Sequence, residues 1–355
     1  MERIALLKEM SDAFGVSGYE SDVFGILKTR MESHADIKRD GIGSFIATKK
    51  GQSERPKIMF AAHMDEIGFI VKEVTKDGFL KFIPIGGWYA CNLPGLRVRV
   101  RTKKGVLVPG VIGLKPIHDL SPEERKKVPD MEKMYIDIGA TTNFDIKEKF
   151  GIRPGDPIVP DASFIQMENH DLLMAKAWDD RVGCALLVDL LNNLVAIEHP
   201  NTVYLTGTVQ EELGLRGAKT SANAIAPDIG FALDVSICRD TPGNENDTPE
   251  KLGAGVGILI HDRTMVPHTK LRDFVCELAD LNNIPYHFTS IKGGYDTGAI
   301  HVSNFGVPCL ALGIPTRYVH TGSSIISIED YEHILNLITL LVKNIDADVL
   351  KQIRT

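Results

Sequence analysis

The chain has 355 residues, a formal net charge of −7, and 43% hydrophobic against 25% charged residues. That length exceeds one ordinary core and predicts two domains of a globular enzyme. The acidic balance argues against a nucleic-acid partner, and no apolar run reaches the ~18 residues of a membrane span. The charged start, residues 1–9, lacks the unbroken apolar stretch of a signal peptide. Cys91, Cys184, Cys238, Cys276 and Cys309 are scattered and form no C-x-x-C pair, so they read as reduced thiols of a cytoplasmic protein.

Ile4, Leu6, Leu7 and Met10 recur at helical spacing, as do Val23, Ile26, Leu27 and Met31; residues 44–48 and 58–62 read as strands. Between about 68 and 164 the pattern changes to short strands with frequent Gly and Pro. Strands at 69–74 and 79–83 flank Lys76-Asp77-Gly78, a hairpin signal, and strands at 97–101 and 106–108 flank Lys103-Lys104-Gly105. The alternation of Arg97, Arg99 and Arg101 with Val98 and Val100 marks a strand with one solvated face rather than a basic binding patch. Strands at 135–138 and 156–159 complete what reads as an inserted all-β domain, and 121–127 reads as a short surface helix. From 165 onward, helices at 182–194, 270–282 and 329–345 alternate with strands at 202–209, 229–234 and 308–313. Such alternation predicts an α/β fold with a mostly parallel sheet sandwiched by helices.

The chemistry-bearing residues sit just past these strands. His63-Met64-Asp65 pairs an imidazole with the acceptor that a ligating histidine needs for its other N–H. Asp179-Asp180 opens a helix, where a carboxylate serves as an N-cap or as a bridge between cations; Gly183 and Ala185 keep the first turn slim. Glu211-Glu212 closes the strand at 202–209. Two like charges there call for a positive partner, which a metal supplies; one glutamate can ligate while the other acts as general base. Asp234 reads as a cap or a ligand, and His320 as a loop histidine or a ligand. Open α/β sheets place their sites at the carboxyl ends of strands, so the order H-x-D, D-D, E-E, D, H predicts one shared site. Histidines and carboxylates without cysteine suit two divalent ions such as zinc.

In that order, and in the segments His63–Phe69, Lys176–Gly183, Val209–Ala218, Ala232–Val235 and Arg317–His320, the chain resembles the tetrahedral (TET-type) aminopeptidases. This di-metal group includes glutamyl and deblocking aminopeptidases and cellulase M-like proteins. The resemblance spans nearly the whole chain, including Gly86-Gly87-Trp88 and 152–156. It implies a fold like that of zinc peptidases and phosphorylase-hydrolases, with a catalytic domain at 1–67 and 165–355 and a β-barrel-like dimerisation domain at 68–164. It further implies that His63 and Asp234 hold one metal, Glu212 and His320 the other, and that Asp179 bridges them. Glu211 would be the general base and Asp65 the orienter of His63. Zinc is the first expectation for the two ions, with cobalt or manganese as alternatives. Tyr295 departs from the small residue or Thr usual before Asp296 and alters the pocket lining.

The reading is therefore a metalloaminopeptidase acting on short peptides and assembled as a homo-oligomer, a dodecamer built from dimers. A di-metal N-acyl amino acid deacylase or carboxypeptidase is the alternative. Arg239, five residues past Asp234, either reaches the substrate side chain and favours Glu or Asp, or pairs with Asp240 or points to solvent.

Overall fold

A computed structural model describes residues 2–244 and 248–355. Helices α1 (Glu2–Asp12) and α2 (Ser21–Met31) bury Leu6, Leu7 and Met10, and Val23, Leu27 and Met31. Strands β1 (Asp36–Arg39), β2 (Phe45–Lys50) and β3 (Lys57–His63) follow. Six strands then form a closed barrel: β4 (Gly68–Val74), β5 (Phe79–Ile85), β6 (Arg97–Arg101), β7 (Leu107–Gly113), β8 (Tyr135–Asp137) and β9 (Pro157–Pro160). The chain returns through β10 (Ile165–Gln166), β11 (Leu172–Ala175), α3 (Trp178–Val195), β12 (Thr202–Thr208), α4 (Arg216–Ile225) and β13 (Ile229–Ile237). It continues with β14 (Val256–His261), α5 (Thr269–Leu281), β15 (Tyr286–Ser290), α6 (Thr297–Ile300), β16 (Cys309–Arg317), β17 (Ser324–Ser327), α7 (Ile328–Asn344) and α8 (Ala347–Arg354).

The barrel, in the order β4-β5-β8-β7-β6-β9, leaves no open edge. Its interior holds Phe69, Leu80, Val98, Val100, Ile112, Ile136 and Ile158, a core separate from that of the large sheet. Gly78, at φ +82°, turns β4 into β5. On β6 the valines point inward while Arg99 pairs with Asp161 at 2.9 Å and Arg101 stacks 3.8 Å over Phe14. The helix expected at 121–127 is a single turn, Glu124–Lys126, closed by reciprocal bonds between Ser121 and Glu124.

The large sheet is mixed, not mostly parallel. Parallel pairing holds for β12 with β3, β3 with β13, β13 with β16, and β14 with β15; the remaining neighbours are antiparallel. Hairpin-length links such as those of β1 to β2 and β16 to β17 impose antiparallel pairing. The parallel centre is buried on both faces. Along β3, Ile58, Phe60 and Ala62 face the core shared with α3 and α7, while Met59 and Ala61 face Ala218, Ala222 and Ile225 of α4. Phe60 stacks on Phe231 of β13 at 5.1 Å between ring centres.

Candidate metal centre and active site

Because β12, β3, β13 and β16 run the same way, their carboxyl ends lie on one edge. Thr208, the last residue of β12, is level with His63, the last of β3. Strand β13 pairs with β3 only as far as Ala232, opposite Ala61, and then continues with β16 alone. The two strands part there, and Asp234 lies at the parting, inside β13 rather than at its end. Regular helical geometry in α3 starts only after Asp179 and Asp180, whose backbones are extended or bent; the Asp179 carboxylate lines the cavity, while that of Asp180 is fully buried. Glu211 and Glu212 follow β12, and His320 follows β16.

Asp179 stands between the two imidazoles. Its Oδ1 lies 2.8 Å from His63 Nε2 and its Oδ2 3.2 Å from His320 Nε2. Asp234 Oδ2 lies 4.0 Å from His63 Nε2, and Glu212 Oε1 3.2 Å from His320 Nε2. Each ring is aimed through its other nitrogen, at a backbone carbonyl. His63 Nδ1 is 3.0 Å from the Asp65 carbonyl and His320 Nδ1 2.7 Å from that of Gly87. The Asp65 carboxylate, expected to orient His63, lies 3.5 Å from Nδ1, too far for a hydrogen bond. It receives instead the N–H groups of Glu211 and Glu212 at 3.0 and 3.2 Å and the Ser17 hydroxyl at 2.6 Å.

The turn after β5 closes the site from the barrel side. A Cβ on Gly86, at φ +77°, would meet Glu212 Oε2 at 2.7 Å, and one on Gly87 would meet His320 Nδ1 at 3.0 Å. Only glycine lets the backbone pass this close.

The donor set fits divalent cations. His63 and His320 each present Nε2 to carboxylates, and Glu212 Oε1 is buried without a hydrogen-bond partner of proper geometry. Two groups of ligand atoms lie within coordinating reach: His63, Asp180 and Asp234, and His63, Asp179 and Glu212. In the first, Asp180 is already engaged, accepting from the backbone N–H groups of His63 at 2.9 Å and Gly183 at 3.0 Å. The carboxylate with oxygens turned to both histidines is that of Asp179. Burial, together with the neighbouring acids, pushes the Glu211, Asp234 and Asp180 carboxyls well above the usual range. Burial works against a charged imidazole, yet the nearby carboxylates of Asp179 and Glu212 carry His320 up to about 11, and those of Asp179 and Asp65, with Glu211, raise His63. The cage thus stabilises positive charge at its centre, which is what a cation provides.

His63, Asp179, Glu211, Glu212, Asp234 and His320 line a cavity of about 840 Å³ whose wall also includes Ile237, Ile291, Val319, Tyr295 and Arg263. Tyr295 is buried and donates its hydroxyl to the Val235 carbonyl at 2.8 Å. Arg239 is not part of this wall, nor does it pair with Asp240: it pairs with Glu250, while Asp240 is held by Arg317 at 2.6 Å. Arg239 lies past the end of β13, and Arg263 supplies the guanidinium of the wall instead. Sequence reasoning missed Arg263, since the loop after β14 carries no motif of its own. It also assigned no role to the buried cluster of Glu66 with Lys176 at 2.7 Å and Arg181 at 3.2 Å. A lysine and an arginine in so apolar a stretch were the available signal.

No described helix is long and apolar enough to cross a membrane. Residues 43–337 match the M42 glutamyl aminopeptidase family. The chain is 33% identical to a glutamyl aminopeptidase of Lactococcus lactis subsp. cremoris, over 100% of this chain and 99% of that one. It superposes on a TET aminopeptidase from the marine sediment archaeon Thaumarchaeota archaeon SCGC AB-539-E09 with a TM-score of 0.94 and 40% identity, covering 99% of both chains. It superposes on the Pyrococcus horikoshii TET1 peptidase, which can assemble into a tetrahedron or a large octahedral shell, with a TM-score of 0.86 and 33% identity over 97% of this chain and 100% of that one. A chain matched over this length, with the ligating and acidic residues gathered at the carboxyl edge of its sheet, belongs to the M42 glutamyl aminopeptidase family and is a peptide hydrolase.

Proposed function

We propose that this chain is a two-metal aminopeptidase that releases the N-terminal residue of short peptides. The observation that carries the reading is the placement of Asp179, with one oxygen toward His63 and the other toward His320. His63 and Asp234 would hold one ion, His320 and Glu212 the other, and Asp179 both. When bound, two divalent ions supply Lewis acidity, acidifying water and polarising the scissile carbonyl. Glu211, on the cavity wall with its carboxyl raised by burial, accepts the water proton and returns it to the leaving amine. Asp65 positions both glutamates by receiving their N–H groups. Arg263, the one Lys or Arg among the described residues of the wall, supports a preference for N-terminal Glu or Asp.

The test is Glu211→Gln, which keeps the shape and removes the proton acceptor. Both metals stay bound by elemental analysis, and turnover falls by about 10²–10⁴-fold. Residual turnover near wild type with full metal content refutes the base assignment. Cleavage of acylated but not free dipeptides would identify a deacylase instead.

A further inference from the structure

Three successive backbone N–H groups lead into the site, and each is received by a buried carboxylate. Glu211 and Glu212 donate to the two oxygens of Asp65. Gln210 donates to Glu20 Oε1 at 3.1 Å. Gln210 has φ +54°, the left-handed region that an L side chain with a Cβ adopts only when held there. That residue is the pivot at which the chain leaves β12 and turns Glu211 and Glu212 into the cavity. Glu20 is 6% exposed, and the same Oε1 also accepts the Gly18 N–H at 2.7 Å, so its carboxylate cannot swing freely.

The segment carrying Glu20 is itself pinned to the site. Ser17 donates to Asp65 at 2.6 Å, and Glu66 N donates to the Gly15 carbonyl at 2.9 Å. The Ala13 carbonyl accepts from Lys176 at 3.2 Å and from Arg181 at 3.0 Å. These two cations flank Asp179 in the chain, so the N-terminal segment, the Asp65 turn and the Asp179 turn form one buried assembly.

From this geometry we infer that Glu20 is a positioning residue for hydrolysis: by accepting the Gln210 N–H it holds the left-handed pivot that aims the general base Glu211 and the ligand Glu212. The inference rests on the roles proposed above for those two glutamates. Its signature is that Glu20 matters only because residue 210 has a side chain. Glycine adopts positive φ without support.

The experiment compares zinc-loaded wild type with Glu20→Gln, Glu20→Ala and the double variant Glu20→Ala, Gln210→Gly. Glu20→Ala lowers kcat about tenfold or more with KM within about twofold, because aim rather than substrate binding is lost. Glu20→Gln, which keeps an acceptor oxygen, retains kcat within about threefold, and the double variant recovers most of the loss. Independently of activity, hydrogen exchange of metal-free protein followed by mass spectrometry speeds up in the peptide holding Gln210 in Glu20→Ala, and zinc titration shows one of the two ions weakened. Should Glu20→Ala not fold, Glu20→Asp, one methylene shorter, carries the same comparison. Wild-type kcat and zinc affinity in Glu20→Ala, or a double variant as impaired as the single one, overturns the inference. Glu211→Gln is run alongside: if it stays active, the base assignment falls, whereas an inactive Glu211→Gln beside an unaffected Glu20→Ala overturns only the role of Glu20.

Discussion

Asp179 organises the site at the smallest scale, because one carboxylate facing two imidazoles fixes where positive charge belongs. Without metal, that charge is carried by protons. His320, raised from 6.5 to about 11, contributes stability that is complete below about pH 6.5 and lost as pH rises through about 11. Glu211 and Asp234 are acids raised by burial, so their contribution too is complete below their ordinary values and lost as pH rises through the raised ones. Both signs agree: the metal-free protein weakens with rising pH. Bound cations replace those protons, so the gap in Tm between loaded and chelator-treated protein widens from about pH 6 to about pH 9. Calorimetry at several pH values checks this; a constant gap contradicts it. Chelation should also abolish turnover, and added zinc restore it. At the same scale, Arg263→Ala lowers the ratio of kcat/KM for Glu- over Leu-terminated reporter substrates about tenfold or more, since a charge-assisted bond is removed from a partly dry wall. Arg239→Ala leaves that ratio unchanged, because its guanidinium is engaged by Glu250.

Among the elements, the turn between β5 and β6 matters most. It belongs to the barrel strands but delivers the Gly87 carbonyl to His320 and passes Gly86 against Glu212. Trp88 anchors it, stacked on Phe69 at 4.8 Å and donating to the Gly68 carbonyl at 3.0 Å. Gly86→Ala adds a Cβ that would sit 2.4 Å from Ile67 Cγ2 and 2.7 Å from Glu212 Oε2, at a backbone angle that disfavours alanine. Turnover should fall about tenfold or more as Glu212, the proposed ligand, is displaced, with one ion lost or weakened in elemental analysis. Wild-type kcat and metal content would show that the turn tolerates displacement. The same scale shows where pattern reading was sound. Helices α1, α2, α3 and α7 and the hairpin at Gly78 follow from spacing and turn chemistry. Helix α4 escaped it because its buried face is Gly217, Ala218, Ser221, Ala222 and Ile225, with a single large apolar residue among small and polar ones. Strands β14 and β15 escaped it because they flank the parallel centre and lie outside the strand ends that carried the acidic clusters.

For the whole molecule, the barrel at 68–160 has its own core and exposes Ile83 on β5, Leu107 and Val111 on β7, and Ile117 and Val128 in the loop joining β7 to β8. We propose that this unit supplies contacts between copies in a dodecameric shell that admits only short or unfolded peptides. Light scattering should then report about twelve times 39.1 kDa; a monomer or dimer at working concentration would refute the shell and leave the chemistry standing. The sequence alone determined the α/β class and the all-β insertion, and it singled out His63, Asp179, Glu211, Glu212, Asp234 and His320, which the fold gathers around one cavity. Each of these follows from a local signal, a periodicity or a charge placed at the end of an apolar run. Tertiary structure alone decided that the Asp65 carboxylate receives the glutamate N–H groups while its carbonyl meets His63, and that Arg263 rather than Arg239 reaches the wall. It also decided that Glu20 receives the Gln210 N–H, that the Gly87 carbonyl meets His320, and that the sheet is mixed. The polar contacts among these join residues more than a hundred positions apart or turn on side-chain direction within a loop, and no local pattern encodes which distant carbonyl or carboxylate a polar group will meet.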